Sequence, residues 1–356
     1  RNSILHEVRS TSKLDAQDNA LPLEGIRVVL NPGCGSGYFF NEILRSLGAD
    51  VSNSIHLVPD GTFPSTGVPN PEYKAMIEET KLVCEESSAD IGIMLDTDAD
   101  RSGFIIPRNV NADGSKTGYE ALNRNRLIAL LAVIFQSNSP GCTIVTDSVT
   151  SEGLADFIFG LGLNHVRYLK GYANVIGKAR ELTESGKALA EVAIETSGHC
   201  AMRENGYLDD GTYTSVKIVG LLARLSNGVK QNEEGSMSVL DLISELEEMD
   251  EVSELRMDVK DGSILTTNRV FSDIVASVED ACSNIHHWEL DLENLEGVRV
   301  RTGNGGFFML RKSLHDPIIS LQVEGSSKEQ VREEVVDPIL GLMDSSNVDL
   351  ACLHEY

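Results

Sequence analysis

Short apolar runs alternate with amphipathic stretches along this chain, in the order expected for repeated strand and helix units. Runs that predict strands occupy residues 26–30, 91–95, 143–147, 165–169 and 190–194. A short predicted helix ends near residue 47 and is followed by a strand at 48–51. Further helices are predicted at residues 72–86, 125–135, 151–161, 212–225 and 238–249. A loop rich in Gly, Asn and Asp is predicted at 109–118. The alternation indicates α/β domains, and strands at 252–259 and 307–310 open a final unit of different composition.

Three carboxylates at alternate positions, Asp96, Asp98 and Asp100, directly follow the second run, and Arg101 comes next. Acids with this spacing at the carboxyl end of a strand can converge on one hard cation, and oxygen ligands suit Mg²⁺. A solvated acidic loop is the alternative interpretation. An EF-hand calcium loop does not fit, because Arg101 stands where the sixth-position Gly is required and Pro107 where the twelfth-position Glu is required.

Composition and charge restrict the function further. The 356 residues suggest two or three domains, and 41% hydrophobic residues supply a sizeable core. A formal charge of -25 argues against nucleic acid or an anionic membrane surface as a partner. The same charge disfavours anionic sugar phosphates at long range, so a phosphate site would need a local basic cluster or a metal.

The cysteines and the hydropathy bear on location. Six cysteines are scattered without C-x-x-C pairs, which predicts reduced thiols in a cytosol-like or stromal compartment. No apolar run reaches 18 residues, so we expect a soluble protein that does not enter a membrane. The glycines at 33, 35 and 37 have neither the dinucleotide spacing nor a Walker lysine, and we interpret them as a structural turn.

The acidic stretch resembles the metal loop D-G-D-A-D-R of the α-D-phosphohexomutases, the family of phosphoglucomutase, phosphomannomutase and phosphoglucosamine mutase. Thr97 replaces the family's glycine. Residues 59–72 are similar to the family segment P-D-G-x-F-P…P-N-P-E, so that 26–101 resembles the family's second domain throughout. The overall pattern looks closest to divergent phosphoglucosamine-mutase-like proteins of plants and algae, which implies the plastid stroma or the cytoplasm as compartment.

A second loop, Glu195-Thr196-Ser197-Gly198-His199, resembles the family's sugar-recognition loop G-E-x-S-G-H. The resemblance implies that Glu195 and Ser197 bracket vicinal sugar hydroxyls and that Gly198 lets the backbone approach the sugar. His199 can donate to a hydroxyl or a phosphate. A strand end with a surface histidine is the alternative.

Two phosphate-binding features of the family are altered. In the stretch that resembles its third-domain loop G-[FY]-K-x-[IV], Ala173 stands at the lysine position, so the lysine's role would fall to Lys170 or Lys178. The last loop, 311–317, resembles R-P-S-G-T-E-P-x-x-R. Its predicted substrate-binding residues are Arg311, Lys312 and Ser313. Leu314 replaces the glycine and Ser320 the closing arginine, which weakens the expected phosphate site. A purely structural loop is the alternative interpretation of these residues.

The resemblance implies a linker at 1–20, the family's second domain at 21–120, its third at 121–250 and a smaller α+β fourth domain at 251–356. It also implies phosphoryl transfer within hexose or hexosamine phosphates, through an upstream phosphoserine and Mg²⁺, with Arg101 supporting the charge. No T-x-S-H-N-P-like serine motif occurs in these 356 residues, and no catalytic nucleophile is assigned to them. A catalytically inactive relative that binds sugar phosphates, or serves as a scaffold, is the alternative that Ala173, Leu314 and Ser320 favour.

Overall fold

The computed structural model describes residues 21–111, 115–122, 124–231, 238–313 and 316–356; for 227–231 only the backbone is described. These residues form two compact units. The first comprises, where described, residues up to 146 together with 158–166 and 171–246; the second comprises 147–157, 167–170 and 247–356. The predicted linker at 1–20 lies outside the described residues. Boundaries at 120 and 250 between three domains remain a prediction.

The first unit contains a four-stranded mixed sheet in the order β1-β2-β3-β4. Its strands are Val28–Asn31 (β1), Ile91–Leu95 (β2), Ser102–Val110 (β3) and Lys116–Leu122 (β4). Every residue of β2 is buried, as its apolar run predicts. β2 pairs in parallel with β1 and antiparallel with β3. The helices Phe40–Ser46 (α1) and Lys74–Ser87 (α2) follow β1, and α2 packs Met76 and Cys84 against the sheet.

A second mixed sheet has the order β6-β5-β7-β8. Its strands are Thr143–Asp147 (β5), Asn164–Tyr168 (β6), Ala190–Ile194 (β7) and Cys200–Met202 (β8). The accompanying helices are Arg124–Asn138 (α3), Glu152–Gly160 (α4), Tyr172–Glu184 (α5) and Gly211–Gln231 (α6). β7 pairs in parallel with β5 and antiparallel with β8. The predicted α/β architecture is confirmed, and both of these sheets are mixed.

The second unit is built on a five-stranded antiparallel sheet in the order β10-β11-β12-β13-β9. Its strands are Glu251–Asp258 (β9), Trp288–Leu290 (β10), Val298–Thr302 (β11), Phe307–Lys312 (β12) and Ile318–Gly325 (β13). Its helices are Ile264–Cys282 (α7), Lys328–Val331 (α8), Asp337–Leu342 (α9) and Ala351–Glu355 (α10), with a π-helical turn at Arg332–Val336. Val270, Ile274 and Val278 lie on one face of α7 and belong to this unit's core.

A fully buried arginine ties residues of the second unit together. The Arg299 guanidinium donates to the carbonyls of Ser148 and Thr150, at 3.0 and 2.9 Å, and to Oε1 of Glu152, at 2.8 Å. It also lies 3.5 Å from the centroid of the Phe307 ring. Such a cation is stable in the interior only because carbonyls and carboxylates satisfy it.

Three local predictions differ from the structure. The helix predicted at 238–249 is only a 3₁₀ turn, Val239–Ile243, capped by Ser238. Four acids and no base follow this turn up to residue 250, which is unfavourable at the negative end of a helix dipole. The strand predicted at 48–51 is a single bridge between Asp50 and Arg27. The loop predicted at 109–118 is shorter in the structure, because residues 109 and 110 belong to β3 and residues 116–118 to β4; residues 112–114 lie outside the described residues. No helix in the described part of the chain is long and apolar enough to cross a membrane.

Candidate metal and sugar-binding site

The three aspartates converge at the carboxyl end of β2. Each of Asp96, Asp98 and Asp100 offers a carboxylate oxygen, and these oxygens all lie within 4.8 Å of one another. A tight turn brings them together: Ala99 adopts a left-handed backbone with φ of 67° and donates its N–H to the carbonyl of Asp96. Asp96 is buried and Asp98 is exposed, so the group opens to solvent on one side.

Arg101 orients the innermost of these carboxylates. Its backbone N–H donates to Oδ1 of Asp96 at 3.1 Å, and its Nε–H donates to Oδ2 at 2.8 Å. Each carboxylate oxygen has two lone pairs, so both oxygens remain able to bind a cation. Arg101 therefore fixes the position of Asp96 without occupying all of its acceptor capacity.

The carboxylate of Asp100 is only partly satisfied by the described residues. Its Oδ1 is buried and has no hydrogen-bond partner among the described residues. The nearest cationic atoms, Arg101 Nε at 3.9 Å and His199 Nδ1 at 3.7 Å, are beyond hydrogen-bond distance. Burial, and then the neighbouring Asp96 and Asp98, raise the pKa of Asp100 to about 7. An all-oxygen donor set with an unsatisfied buried oxygen fits Mg²⁺.

The loop that follows β7 turns tightly on itself. Glu195 N–H donates to the carbonyl of His199 at 2.9 Å, and Gly198 N–H donates to the carbonyl of Glu195 at 3.1 Å. Gly198 has a φ of 96°, and a Cβ at this position would lie 2.8 Å from the Ser102 carbonyl oxygen. Only glycine allows the loop to approach β3 this closely.

The two residues predicted to bracket sugar hydroxyls are bonded to each other. Ser197 Oγ donates to Oε2 of Glu195 at 3.2 Å, and the backbone N–H of Gly171 donates to Oε1 at 2.5 Å. Glu195 is only 5% exposed. A cleft of about 190 Å³ runs beside the loop, between residues 195–198 and the side chains of Phe104 and Arg124. Glu195 is thus pre-oriented at the wall of a small cleft.

The metal loop and the sugar loop meet directly within the first unit. Arg101 and His199 form a β-bridge, and the Ser102 N–H approaches the Gly198 carbonyl at 3.4 Å. The first N–H of α6, from Gly211, donates to the carbonyl of Ala99 at 3.0 Å. The structure therefore brings together seven of the ten predicted ligand residues, Asp96, Asp98, Asp100, Glu195, Ser197, Gly198 and His199.

His199 is held by two residues that the sequence did not single out as its contacts. Its Nδ1 lies 2.7 Å from Oδ2 of Asp209, and its ring stacks on Tyr172 with centroids 5.0 Å apart. Burial by itself would lower the pKa of His199, but the hydrogen bond and charge of Asp209 outweigh it, so the pKa is raised. The only sequence signal for Asp209 is its position in an Asp-Asp-Gly run just before α6.

The remaining three predicted ligands lie in the second unit, and two of them are strand residues rather than loop residues. Arg311 and Lys312 end β12. Arg311 Nη2 pairs with Oε1 of Glu254 at 2.7 Å, and Lys312 Nζ donates to the Asn268 side chain. Ser313 Oγ accepts a hydrogen bond from the backbone of residue 316. Leu314, which replaces the family's glycine, lies outside the described residues.

The altered lysine position can also be located. Ala173 is exposed in the first turn of α5. Of the two lysines that could replace the missing one, Lys170 lies 3.5 Å from Oδ2 of Asp147, and Lys178 pairs with Glu181 at 3.1 Å. In each case the neighbouring carboxylate would compete with a phosphate for the ammonium group.

Comparison with known proteins gives a consistent relationship. Residues 5–109 match the phosphoglucomutase/phosphomannomutase alpha/beta/alpha domain II, and residues 123–246 match domain III of the same family. A phosphomannomutase/phosphoglucomutase of Pseudomonas putida is 26% identical over 310 residues, covering 86% of this chain and 58% of that protein. The chain thus spans about three-fifths of the length of such curated relatives.

Solved structures share the fold. A phosphoglucomutase/phosphomannomutase family protein from Burkholderia thailandensis superimposes with a TM-score of 0.71 at 21% identity, covering 96% of this chain and 65% of the other. An N-acetylphosphoglucosamine mutase from Aspergillus fumigatus, in complex with GlcNAc-6P and magnesium, superimposes with a TM-score of 0.58 at 12% identity, covering 96% and 70%.

Proposed function

We propose, from the premise that this chain belongs to the α-D-phosphohexomutase family, that it provides the metal-binding and sugar-binding part of a phosphohexomutase. The reaction is phosphoryl transfer within hexose or hexosamine phosphates. The observation that supports this most strongly is the convergence of three aspartates beside a loop of sugar-recognition type, with backbone contacts between the two. In this proposal residues 21–120, 121–250 and 251–356 are the family's second, third and fourth domains.

Asp96, Asp98 and Asp100 would hold Mg²⁺. When bound, the ion would neutralise charge on a phosphoserine and on the transferring phosphoryl group. Arg101 keeps the Asp96 carboxylate in place through two hydrogen bonds and adds positive charge next to the aspartates. Preorganised charge of this kind stabilises the loose transition state of phosphoryl transfer.

Sugar recognition falls to residues 195–199. Glu195 can accept hydrogen bonds from two adjacent hydroxyls, because two oxygens of one carboxylate are spaced for such a pair. Ser197 already donates a hydrogen bond to Glu195, so its hydroxyl and a sugar hydroxyl would lie side by side at the same carboxylate. Arg311, Lys312 and Ser313 are proposed as phosphate contacts, and Glu254 would compete with the phosphate for Arg311.

The nucleophilic serine would come from residues outside this sequence. No serine motif of the family's type occurs among the 356 residues. The length of the P. putida relative that lies beyond the matched region is sufficient for a further domain.

A reducing compartment, plastid stroma or cytoplasm, is part of the same proposal.

Mass spectrometry of the protein purified from its source tests this function, together with a mutase assay on that material. We expect a phosphoserine in a Ser-His motif upstream of residue 1, and Mg²⁺-dependent conversion of glucose 1-phosphate or glucosamine 1-phosphate to the 6-phosphate. A mature protein that lacks the phosphoserine and converts neither sugar would end the mutase proposal.

A second candidate is a non-catalytic sugar-phosphate-binding or scaffold protein. The observation in its favour is that the basic side chains proposed for phosphate binding are engaged elsewhere: Arg311 by Glu254, and Lys178 by Glu181. Ala173 adds to this, since alanine cannot pair with a phosphate. Binding of a sugar phosphate without turnover by the source protein would favour this candidate.

A further inference from the structure

A second cavity lies in the first unit and does not include the metal loop. It measures about 310 Å³ and is bounded by residues that precede β1 and β2, by the second half of β3 with the first residue of β4, and by the second half of α6. β1 and β2 are parallel, and the aspartates of the metal loop follow the carboxyl end of β2. The cavity therefore lies at the opposite end of these two strands.

The wall of this cavity is mainly aliphatic. The side chains that line it include Ile26, Ile106, Leu222, Leu225 and Val239. An apolar cavity of about 150 Å³ in an engineered protein binds benzene, so this larger cavity has room for a ring with a substituent. Pockets for small molecules begin at about 300 Å³ and combine an apolar wall with a few polar groups. Its size and its wall therefore fit a small, mainly apolar molecule.

One buried ammonium group interrupts the aliphatic wall. Only 10% of the Lys116 side chain is exposed, and its Nζ lies 3.1 Å from Oδ1 of Asp90 and donates to the carbonyl of Ser88 at 3.3 Å. Ser88 caps the carboxyl end of α2, where the helix dipole favours a cation. An ammonium has three donors, so one N–H of Lys116 has no acceptor among the described residues. A ligand with an acceptor atom would satisfy this last donor.

The charges around the cavity disfavour an ionised ligand. Among the described residues of the wall, Lys116 is basic and both Asp90 and Glu24 are acidic. Asp90 has a second partner, because its Oδ2 accepts the backbone N–H of Arg27 at 2.8 Å. A carboxylate ligand would be repelled by the two acids and an ammonium ligand by Lys116, next to an apolar wall where charges are weakly screened. A carbonyl oxygen accepts a hydrogen bond and meets neither repulsion.

We propose that this cavity binds a small uncharged molecule with an apolar body and one carbonyl oxygen, and that Lys116 donates its remaining N–H to that oxygen. The apolar body packs against Ile106, Leu225 and Val239, which line the cavity. Neither the metal loop nor residues 195–199 take part. The cavity is therefore a second ligand site of the first unit, and it does not depend on the proposed function.

Three probes of similar shape test the proposal. Acetophenone carries a carbonyl oxygen, α-methylstyrene carries a CH₂ group in its place, and benzoate carries a negative charge. Methyl ¹H–¹³C correlation spectra report binding at the cavity, with the Ile106 signal identified by its loss in Ile106→Val. We expect acetophenone to shift the Ile106 signal and to bind about tenfold more tightly than α-methylstyrene, the effect of one hydrogen bond. Benzoate should bind more weakly than acetophenone.

Two variants with matched controls assign the contacts. Lys116→Met keeps an unbranched side chain without the ammonium, so acetophenone and α-methylstyrene should bind to it equally. Lys187→Met should keep the preference, because Lys187 is 69% exposed and is not a residue of the cavity wall. Leu225→Trp should block all probes, since it adds a large ring at the wall. Leu82→Trp, at an exposed position of α2, should not affect them.

Each part of the proposal can be overturned separately. An Ile106 signal that none of the probes shifts would overturn the site itself. Equal affinities for acetophenone and α-methylstyrene in the unchanged protein, or a preference that persists in Lys116→Met, would overturn the contact with Lys116. Tighter binding of benzoate would overturn the choice of an uncharged ligand. If Lys116→Met does not fold, the three probes on the unchanged protein and on Leu225→Trp still decide the proposal.

Discussion

The backbone N–H of Gly211 donates to the carbonyl of Ala99 at 3.0 Å, which joins the first residue of α6 to the metal loop. A Cβ on residue 211 would lie 2.7 Å from the carbonyl carbon of Arg101. The start of α6 and the metal loop can therefore be this close only because residue 211 has no side chain. The arrangement of Asp96, Asp98 and Asp100 in the metal loop therefore depends on a contact between residues more than a hundred positions apart in the sequence.

Gly211→Ala should accordingly destabilise the protein by about 2 kcal/mol, the usual cost of forcing extra volume into a packed contact, and should weaken Mg²⁺ binding. The free energy of unfolding from urea titration measures the first effect and calorimetry the second. Gly177→Ala is the control, because Gly177 is an exposed residue of α5 with no atom near the added methyl. Gly177→Ala should stabilise the protein by up to about 1 kcal/mol. Equal losses of unfolding free energy and Mg²⁺ affinity in both variants would mean that the approach of residue 211 to the metal loop has no special role.

Asp98→Asn should weaken Mg²⁺ binding at least about tenfold, since it removes one of three charged oxygen ligands. Asp98 is exposed and its loss should leave the fold intact. Isothermal titration calorimetry with MgCl₂ is the measurement, and Glu78→Gln, an exposed acid on α2, is the charge-matched control. Unchanged affinity in Asp98→Asn would remove the aspartates from the metal role.

Glucose 1-phosphate should bind this chain weakly, with a dissociation constant above about 1 µM, because the Glu254 carboxylate competes with the phosphate for Arg311. Glu254→Gln removes the competing charge and should tighten binding severalfold. Glu279→Gln, on the exposed surface of α7, should not change it. Sub-micromolar binding by the unchanged protein, or no gain in Glu254→Gln, would show that Arg311 does not limit the interaction.

The stability of the second unit should depend on the ionisation of Glu152. Burial alone would raise the pKa of Glu152, but the charges of Arg167, Arg299 and Arg301 outweigh it and lower the pKa to about 2. An unfolded glutamate has an ordinary pKa near 4.5. The contribution of Glu152 is therefore complete above about pH 4.5 and is lost as the pH falls toward 2.

Glu152→Gln should thus lower the free energy of unfolding by about 2 kcal/mol at pH 7, less than for a fully buried ion pair. The difference from the unchanged protein should shrink between pH 4.5 and pH 3. Urea unfolding at several pH values gives both quantities. A difference that stays constant over this range would mean that the charge of Glu152 contributes nothing.

Several features of the fold followed from the sequence alone. The strands at 91–95, 143–147 and 190–194 agree with the structure residue for residue. Each is short, is buried at every position and is followed directly by a polar residue, so its limits depend on local sequence. The hairpin of β3 and β4 was missed because five of the seven residues of β4 are partly or fully exposed and its pairing, not its hydrophobicity, defines it.

The candidate site likewise has features that local sequence predicts and features that only the tertiary structure reveals. The sequence by itself identified the candidate residues of the site, because three acids at alternate positions after a buried strand, and a tight loop after another, depend only on local spacing. Tertiary structure alone decided their environment: the approach of Gly211 to Ala99, the bond of Asp209 to His199 and the pairing of Arg311 with Glu254. These contacts join residues that the chain order keeps apart, and only packing of the elements brings their atoms within reach.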